Sequence, residues 1–283
     1  MFNLVLAIDI APRVNNAAER FKSLSARSAL MIDSVAHLQE QGSVLAEVDA
    51  LLVSIYQELN QESLSALPKL KYLGIMGSST KKVAVDLCLE RGIQVDSVHN
   101  YCDAETAEWV IMHMLMHNRV REPPRSLSGQ SLGLIGVGAV GSRVASLALA
   151  LGLQLKFFAR RTHPELEALG ARASTKEDIF SHAQIISFHT PPHIVWLNTS
   201  LLNRCCPQTL LINTCLGKVS ADHSLEDFLK ERPDITLIMD SIAGSSYPKL
   251  NERAQIDRKS AFLTSDSELR LVNKFFAQAL AAS

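Results

Sequence analysis

The stretch "SLGLIGVGAVGSRVASLALALGLQLKFFARR", Ser131 to Arg161, decides the fold. Leu132–Ile135 is a short apolar run and reads as a buried strand. It ends in Gly136-Val137-Gly138-Ala139-Val140-Gly141, and a helical pattern follows. A second strand, Gln154–Phe158, comes next. Gly136 permits a tight turn, Gly138 lets backbone approach a pyrophosphate, and Gly141 lets the helix pack close to the strand. The free N–H groups at the helix start, near Ala139 and Val140, carry partial positive charge and suit a phosphate. Three spaced glycines alone are weak evidence. Set between a strand and a helix, with another strand at the right distance, they read as a dinucleotide site.

An acidic residue about 20 positions further on would mark NAD, because it bonds the adenosine ribose hydroxyls. Here Ala159 stands at the strand end, followed by Arg160, Arg161 and Thr162. A guanidinium pair there can hold a 2′-phosphate, so the sequence favours NADP, with NAD as the alternative. The bland alternative is a solvated pair of arginines.

Working outward, 283 residues exceed one small core and suggest two domains. With 47% hydrophobic and 20% charged residues, the chain reads as an ordinary soluble globular protein. A net charge of −1 gives no support to a nucleic-acid partner. The five cysteines (Cys88, Cys102, Cys205, Cys206, Cys215) are odd in number and lack CxxC spacing. That favours a reducing compartment over a disulfide framework or a metal site. "MFNLVLAIDIAPR" lacks a basic leader region, and no uncharged run reaches the ~20 residues of a membrane span. The expectation is cytoplasmic, with no membrane partner.

Before the glycine motif, "LVLAID" (4–9), "LLVSI" (51–55), "YLGIM" (72–76) and "IQVDSV" (93–98) are strand-like. They alternate with helical "AAERFKSL" and "KKVAVDLCLER", which implies a parallel sheet covered by helices. A long, largely apolar helix is expected from about Ala104 to Arg119, with Asp103 as N-cap. A second βα series runs from Ser131 to Thr264, and a helix from about Asp266 to Ala281 closes the chain. Within that series "LLINTCLGKVS" (210–220) reads as a buried strand opening onto a ligand. It lacks any side chain that could grip an anion or move a proton.

Six stretches carry a resemblance: "LKYLGIMGSSTKKVAVDLCLERGIQV", "ETAEWVIMHML", "GLIGVGAVGSRVA", "IISFHTPP", "NTSLLNRCCPQTLLINTCLG" and "LIMDSI". In order and spacing the chain resembles the D-2-hydroxyacid dehydrogenase family (D-isomer-specific, NAD(P)-dependent). The resemblance implies an α/β fold in which a Rossmann dinucleotide-binding domain is inserted in a flavodoxin-like, parallel-sheet substrate domain. The substrate domain would be residues 1–98 completed by 266–283, and the cofactor domain 99–265. It also implies a homodimer joined through the cofactor domain. By the same resemblance Thr106 faces the cofactor, His189-Thr190-Pro191 lies beside the adenosine and ribose, and Thr214 lies near the nicotinamide. Asp240 would meet the carboxamide, a capping carboxylate being the equal alternative.

The resemblance fails where the family keeps its catalysts. The substrate-binding arginine is replaced by Leu216, and the glutamate that tunes the acid–base histidine is replaced by Ala243. The segment closest to the family's Thr-Pro-His is Thr264-Ser265-Asp266, and no histidine follows His223. Leucine cannot hold a carboxylate bidentately. A positioned general acid contributes typically ~10²–10⁴-fold. The catalytic residues are therefore unknown, and two functions compete. One is an NAD(P)-binding oxidoreductase with non-standard substrate chemistry. The other is a catalytically silent cofactor-binding protein, such as a sensor, scaffold or regulatory subunit.

Other candidates carry less. Lys81 and Lys82, in "GSSTKK" at an expected helix start, could receive an anion but read better as a solvated edge. His113 and His117 have the i, i+4 spacing of metal ligands without a third partner, and core or interface packing is the simpler reading. Cys215 is taken as a small pocket-lining residue. Tyr247, Tyr101 and His99 are candidates for a cleft mouth.

Overall fold

The structure is a computed structural model; it describes every residue except 28, 192–193, 216, 221–223, 248–249, 251–253 and 259. The chain divides into two compact units, Met1–Tyr101 with Ser265–Ser283, and Cys102–Thr264.

The first unit is built on β1 (Val5–Ile8), β2 (Ala29–Ile32), β3 (Ala50–Ser54), β4 (Tyr72–Met76) and β5 (Gln94–Ser97). They form one parallel sheet in the flavodoxin-like order β2-β1-β3-β4-β5. β1, β3 and β4 are buried along their whole length, as apolar runs covered on both faces must be. The closing helix, Ser265–Ala282, packs on β4. Gly74 permits this approach, because a Cβ there would lie 2.8 Å from Leu52 and 3.3 Å from the Phe275 ring.

Two expectations change here. β2 adds to the strands expected from the sequence: it is a four-residue, half-exposed edge strand without alternation. The helix expected to start at Lys81 begins at Val85. Lys81 and Lys82 therefore lie in the preceding turn, where a cation meets no adverse helix dipole.

The second unit holds β6 (Ser131–Ile135), β7 (Gln154–Phe158), β8 (Arg172–Ala173), β9 (Ile185–Phe188), β10 (Leu210–Asn213), β11 (Thr236–Met239) and β12 (Ala254–Ile256). All are parallel, in the order β12-β11-β10-β9-β6-β7-β8. This is the doubly wound Rossmann order extended by one strand. The long helix spans Asp103–Val120, with Cys102 rather than Asp103 at its N-cap and Asp103 in its first turn. It packs on the helix Ala139–Ala150 that follows the glycine turn. Among the described helices none is long and apolar enough to cross a membrane.

Candidate dinucleotide site

The residues that follow six adjacent strands form one row along the carboxyl edge of the seven-stranded sheet. Ile135 pairs with both Phe158 and Phe188, Asn213 with Phe188 and Met239, and Met239 with Ile256. The next positions are Ala159, Gly136, His189, Thr214, Asp240 and Asp257. Strand order reverses between β6 and β9, so Gly136 and His189 flank the switch point where open α/β sheets take ligands.

Gly136 adopts φ +98°, and a Cβ there would fall 2.3 Å from the His189 carbonyl oxygen. Only glycine fits this turn. A Cβ on Gly141 would lie 2.4 Å from the Gly136 carbonyl oxygen. Gly138 is different: φ is −88°, and a Cβ would meet nothing within 4 Å. Gly138 is also the N-cap of the helix Ala139–Ala150, and no side chain caps it. The first N–H groups of that helix, at Ala139, Val140 and Gly141, thus lack partners within the helix, beside the open space at Gly138. This is the cradle a pyrophosphate needs, and the residues present fit a dinucleotide.

His189 completes the wall. Its backbone N–H donates to Ile135 O (2.8 Å), and its Nε2 lies 2.9 Å from Ser187 Oγ. Nδ1 is buried with no partner among the described residues. Burial pushes the imidazole down to about 4, so the ring is neutral near pH 7. The direction of the Ser187 hydrogen bond sets the tautomer: if the hydroxyl donates to Nε2, Nδ1 carries the ring proton.

Thr190 is held from both sides: Trp196 Nε1 donates to its Oγ1 at 3.2 Å, and Cys215 Sγ lies 3.5 Å from it. Pro191 is exposed. Cys215 is buried, and burial raises its thiol to about 11, so it is an inert wall. Asn213 is buried at the end of β10, where its Oδ1 accepts from Cys215 N (2.9 Å) and turns the chain, leaving Thr214 half-buried. Leu216 lies outside the described residues, as does His223.

The carboxylate of Asp240 serves the fold. It is 3% exposed, Oδ1 accepts from Ala243 N (2.8 Å), and Oδ2 accepts from Ala261 N (3.0 Å). It caps the helix Ser241–Ser245, and Ala243 is fully buried below it. Tyr247 is buried too, and its hydroxyl accepts from Val219 N (2.7 Å) and Ser220 N (3.4 Å). The phenol therefore braces the segment after β10 and does not line an opening. Thr106 is buried on the helix Asp103–Val120, its hydroxyl donating to Cys102 O (2.9 Å). Arg160 and Arg161 are exposed just beyond β7. The last strand ends at Ile256, so the segment that follows the sheet is Asp257 onward and starts seven residues before Thr264-Ser265-Asp266.

Residues 94–265 match the family model described as D-isomer specific 2-hydroxyacid dehydrogenase, NAD binding domain. The chain belongs to the D-isomer-specific 2-hydroxyacid dehydrogenase family. Among curated members it is 27% identical over 212 residues to erythronate-4-phosphate dehydrogenase of Shewanella sediminis, covering 72% of this chain and 53% of that protein. The same enzyme from Shewanella baltica strain OS155 is 28% identical over 214 residues, covering 72% and 55%. The chain thus spans about half the length of the curated relatives it matches. Among solved structures, the D-lactate dehydrogenase of Aquifex aeolicus, complexed with NAD and lactic acid, has a TM-score of 0.82 at 21% identity, covering 98% of this chain and 95% of that one. The NAD+-bound 3-phosphoglycerate dehydrogenase of Entamoeba histolytica has a TM-score of 0.80 at 19% identity, covering 99% and 95%. At these identities the likeness shows the family fold.

Proposed function

We propose that this chain is a dehydrogenase of the family that uses a nicotinamide dinucleotide and acts on a C–OH or C=O group by non-standard chemistry. The open space at Gly138, at the start of a helix that no side chain caps, is the observation that supports it most. When bound, the dinucleotide supplies a hydride donor or acceptor at the nicotinamide. Gly136, Gly138, Ala139, Val140 and Gly141 would hold the pyrophosphate. Arg160 and Arg161 would hold the adenosine end, with His189, Thr190 and Pro191 beside it. Thr106 and Thr214 would face the nicotinamide, and Asp240 would fix the strand end next to it. The test is a fluorescence titration with NADPH and NADH, then a screen of 4-phosphoerythronate, other 2-hydroxy acids, keto acids, aldehydes and imines for a change in nucleotide absorbance. Binding without turnover across all classes would favour the silent cofactor-binding reading. The engagement of both Asp240 oxygens by backbone supports that rival.

Ala159 at the end of β7 offers no carboxylate to a 2′-hydroxyl, and two exposed guanidinium groups follow it. The cofactor is therefore proposed as NADP, with NAD second. Replacing both arginines by alanine is expected to weaken NADPH by roughly tenfold, about 1.4 kcal/mol, and to leave NADH within about twofold. Calorimetric titration checks this, and equal losses for both nucleotides would refute it.

A homodimer is proposed through the paired helices Asp103–Val120 and Ala139–Ala150. Met112, Leu115, Met116 and Val120 are exposed on the first, and Leu147 on the second. Light scattering should give twice the chain mass, and Met116→Asp should halve it. The five cysteines are free, which agrees with a reducing compartment such as the cytoplasm.

A further inference from the structure

Two carboxylates stand side by side in the carboxyl-edge row, and they are built differently. Asp240 is buried with backbone N–H groups on both oxygens. Asp257, just past the neighbouring strand β12, has a side chain 31% exposed. Its Oδ2 accepts from Trp109 Nε1 at 3.0 Å, and His113 Nε2 lies 3.5 Å from the same oxygen. Trp109 and His113 are one turn apart on the helix Asp103–Val120, with ring centroids 4.0 Å apart. Thr106 precedes Trp109 by three residues on the same helix face.

Burial holds the His113 imidazole below its ordinary value, while the facing Asp257 carboxylate pulls it the other way. A half-buried imidazole therefore faces a partly exposed carboxylate across a contact longer than a good hydrogen bond. One added proton would close that contact and be shared by the pair. Titratable groups with opposed environments at a sheet's ligand edge are the usual seat of proton exchange.

We infer that Asp257, positioned by Trp109 and backed by His113, exchanges the proton of the oxygen atom that is oxidised or reduced. The inference rests on the dehydrogenase reading above. In the oxidative direction the alcohol O–H bond would break and its proton would pass to the Asp257 carboxylate, beside which the His113 ring lies. The carbon-bound hydrogen would leave as hydride to the oxidised nicotinamide dinucleotide, and the C–O bond would become C=O. Reduction runs the same transfers backwards. A proton route thus exists in a chain that has alanine and leucine at the family's catalytic positions.

The test uses the full chain with its preferred dinucleotide and whichever of 4-phosphoerythronate, D-glycerate or D-lactate it oxidises fastest. Asp257→Asn should lower kcat by about 100-fold or more, with KM and dinucleotide affinity within about threefold. Asp257→Glu should recover about tenfold of that loss. Trp109→Phe, which keeps the carboxylate but removes its donor, should lower kcat by roughly three- to tenfold. A readout independent of turnover is the ring-nitrogen resonance of His113: in Asp257→Asn its protonation midpoint should move to lower pH, because the facing carboxylate is gone. A kcat within threefold of wild type in Asp257→Asn, or an unmoved His113 midpoint, would overturn the inference. So would an Asp257→Asn chain that unfolds while Trp109→Phe keeps full activity. If wild type turns over neither these three acids nor any other compound of the screen above, the dehydrogenase reading fails with this inference. If wild type turns over and Asp257→Asn matches it, only this inference falls.

Discussion

Gly138→Ala is expected to abolish dinucleotide binding while leaving the fold intact. A methyl group at Gly138 meets no atom within 4 Å, and φ −88° suits any L residue. Alanine at this N-cap should change stability by less than about 1 kcal/mol. The same methyl would occupy the space through which the backbone meets a pyrophosphate. Affinity should fall by at least about 100-fold, close to 2.7 kcal/mol. Gly136→Ala is the contrasting control. Its Cβ would press on the His189 carbonyl at 2.3 Å, and φ +98° strains any non-glycine residue. That variant should lose about 2–4 kcal/mol of stability as well as binding. Thermal melts paired with NADPH titrations separate the two outcomes. If Gly138→Ala binds as tightly as wild type, the glycine turn is not a phosphate cradle.

The second large effect is structural. Asp240→Ala removes the acceptor of two backbone N–H groups inside the core, Ala243 N and Ala261 N. Losing the helix cap costs about 1 kcal/mol, and a buried unsatisfied donor costs about 1–3 more. In a domain of this size the melting temperature should drop by roughly 5–15 °C. Asp240→Asn keeps one acceptor and should recover part of the loss. Because both oxygens serve the backbone, NADPH affinity of the folded Asp240→Asn protein should stay within about threefold of wild type. An unchanged melting temperature with a large loss of affinity would instead make Asp240 a direct cofactor ligand.

The order of the second sheet was legible because each strand is an apolar run closed by a turn residue, and the glycine motif fixes where the series starts. Such patterns record burial on both faces, which is local to each strand. β2 escaped because an edge strand half in solvent has neither a continuous nor an alternating apolar pattern. Gly136, Gly138 and Gly141 could be ranked by role from spacing alone, since each answers a backbone need within six residues. The roles of Asp240 and Tyr247 could not. Asp240 caps Ala243 locally but reaches 21 residues to Ala261, and Tyr247 reaches 28 to Val219. The same distance hid the most suggestive cluster: Trp109 and His113 looked like an apolar helix face until β12 brought Asp257 to them, 148 residues along the chain from Trp109. Motif matching also placed the end of the sheet too late, because "AQIDRKSAFLTSD" has no apolar run to show that its strand stops at Ile256.

The central proposal is an intact nucleotide cradle in a chain with Leu216 and Ala243 where the resemblance places the family's arginine and glutamate. Calorimetric titration of this chain with NADPH tests it most directly. The predicted result is saturable binding of one nucleotide per chain, with a dissociation constant on the order of micromolar, about −8 kcal/mol. No detectable heat at roughly millimolar NADPH or NADH, from a chain whose melting curve shows it folded, would contradict it.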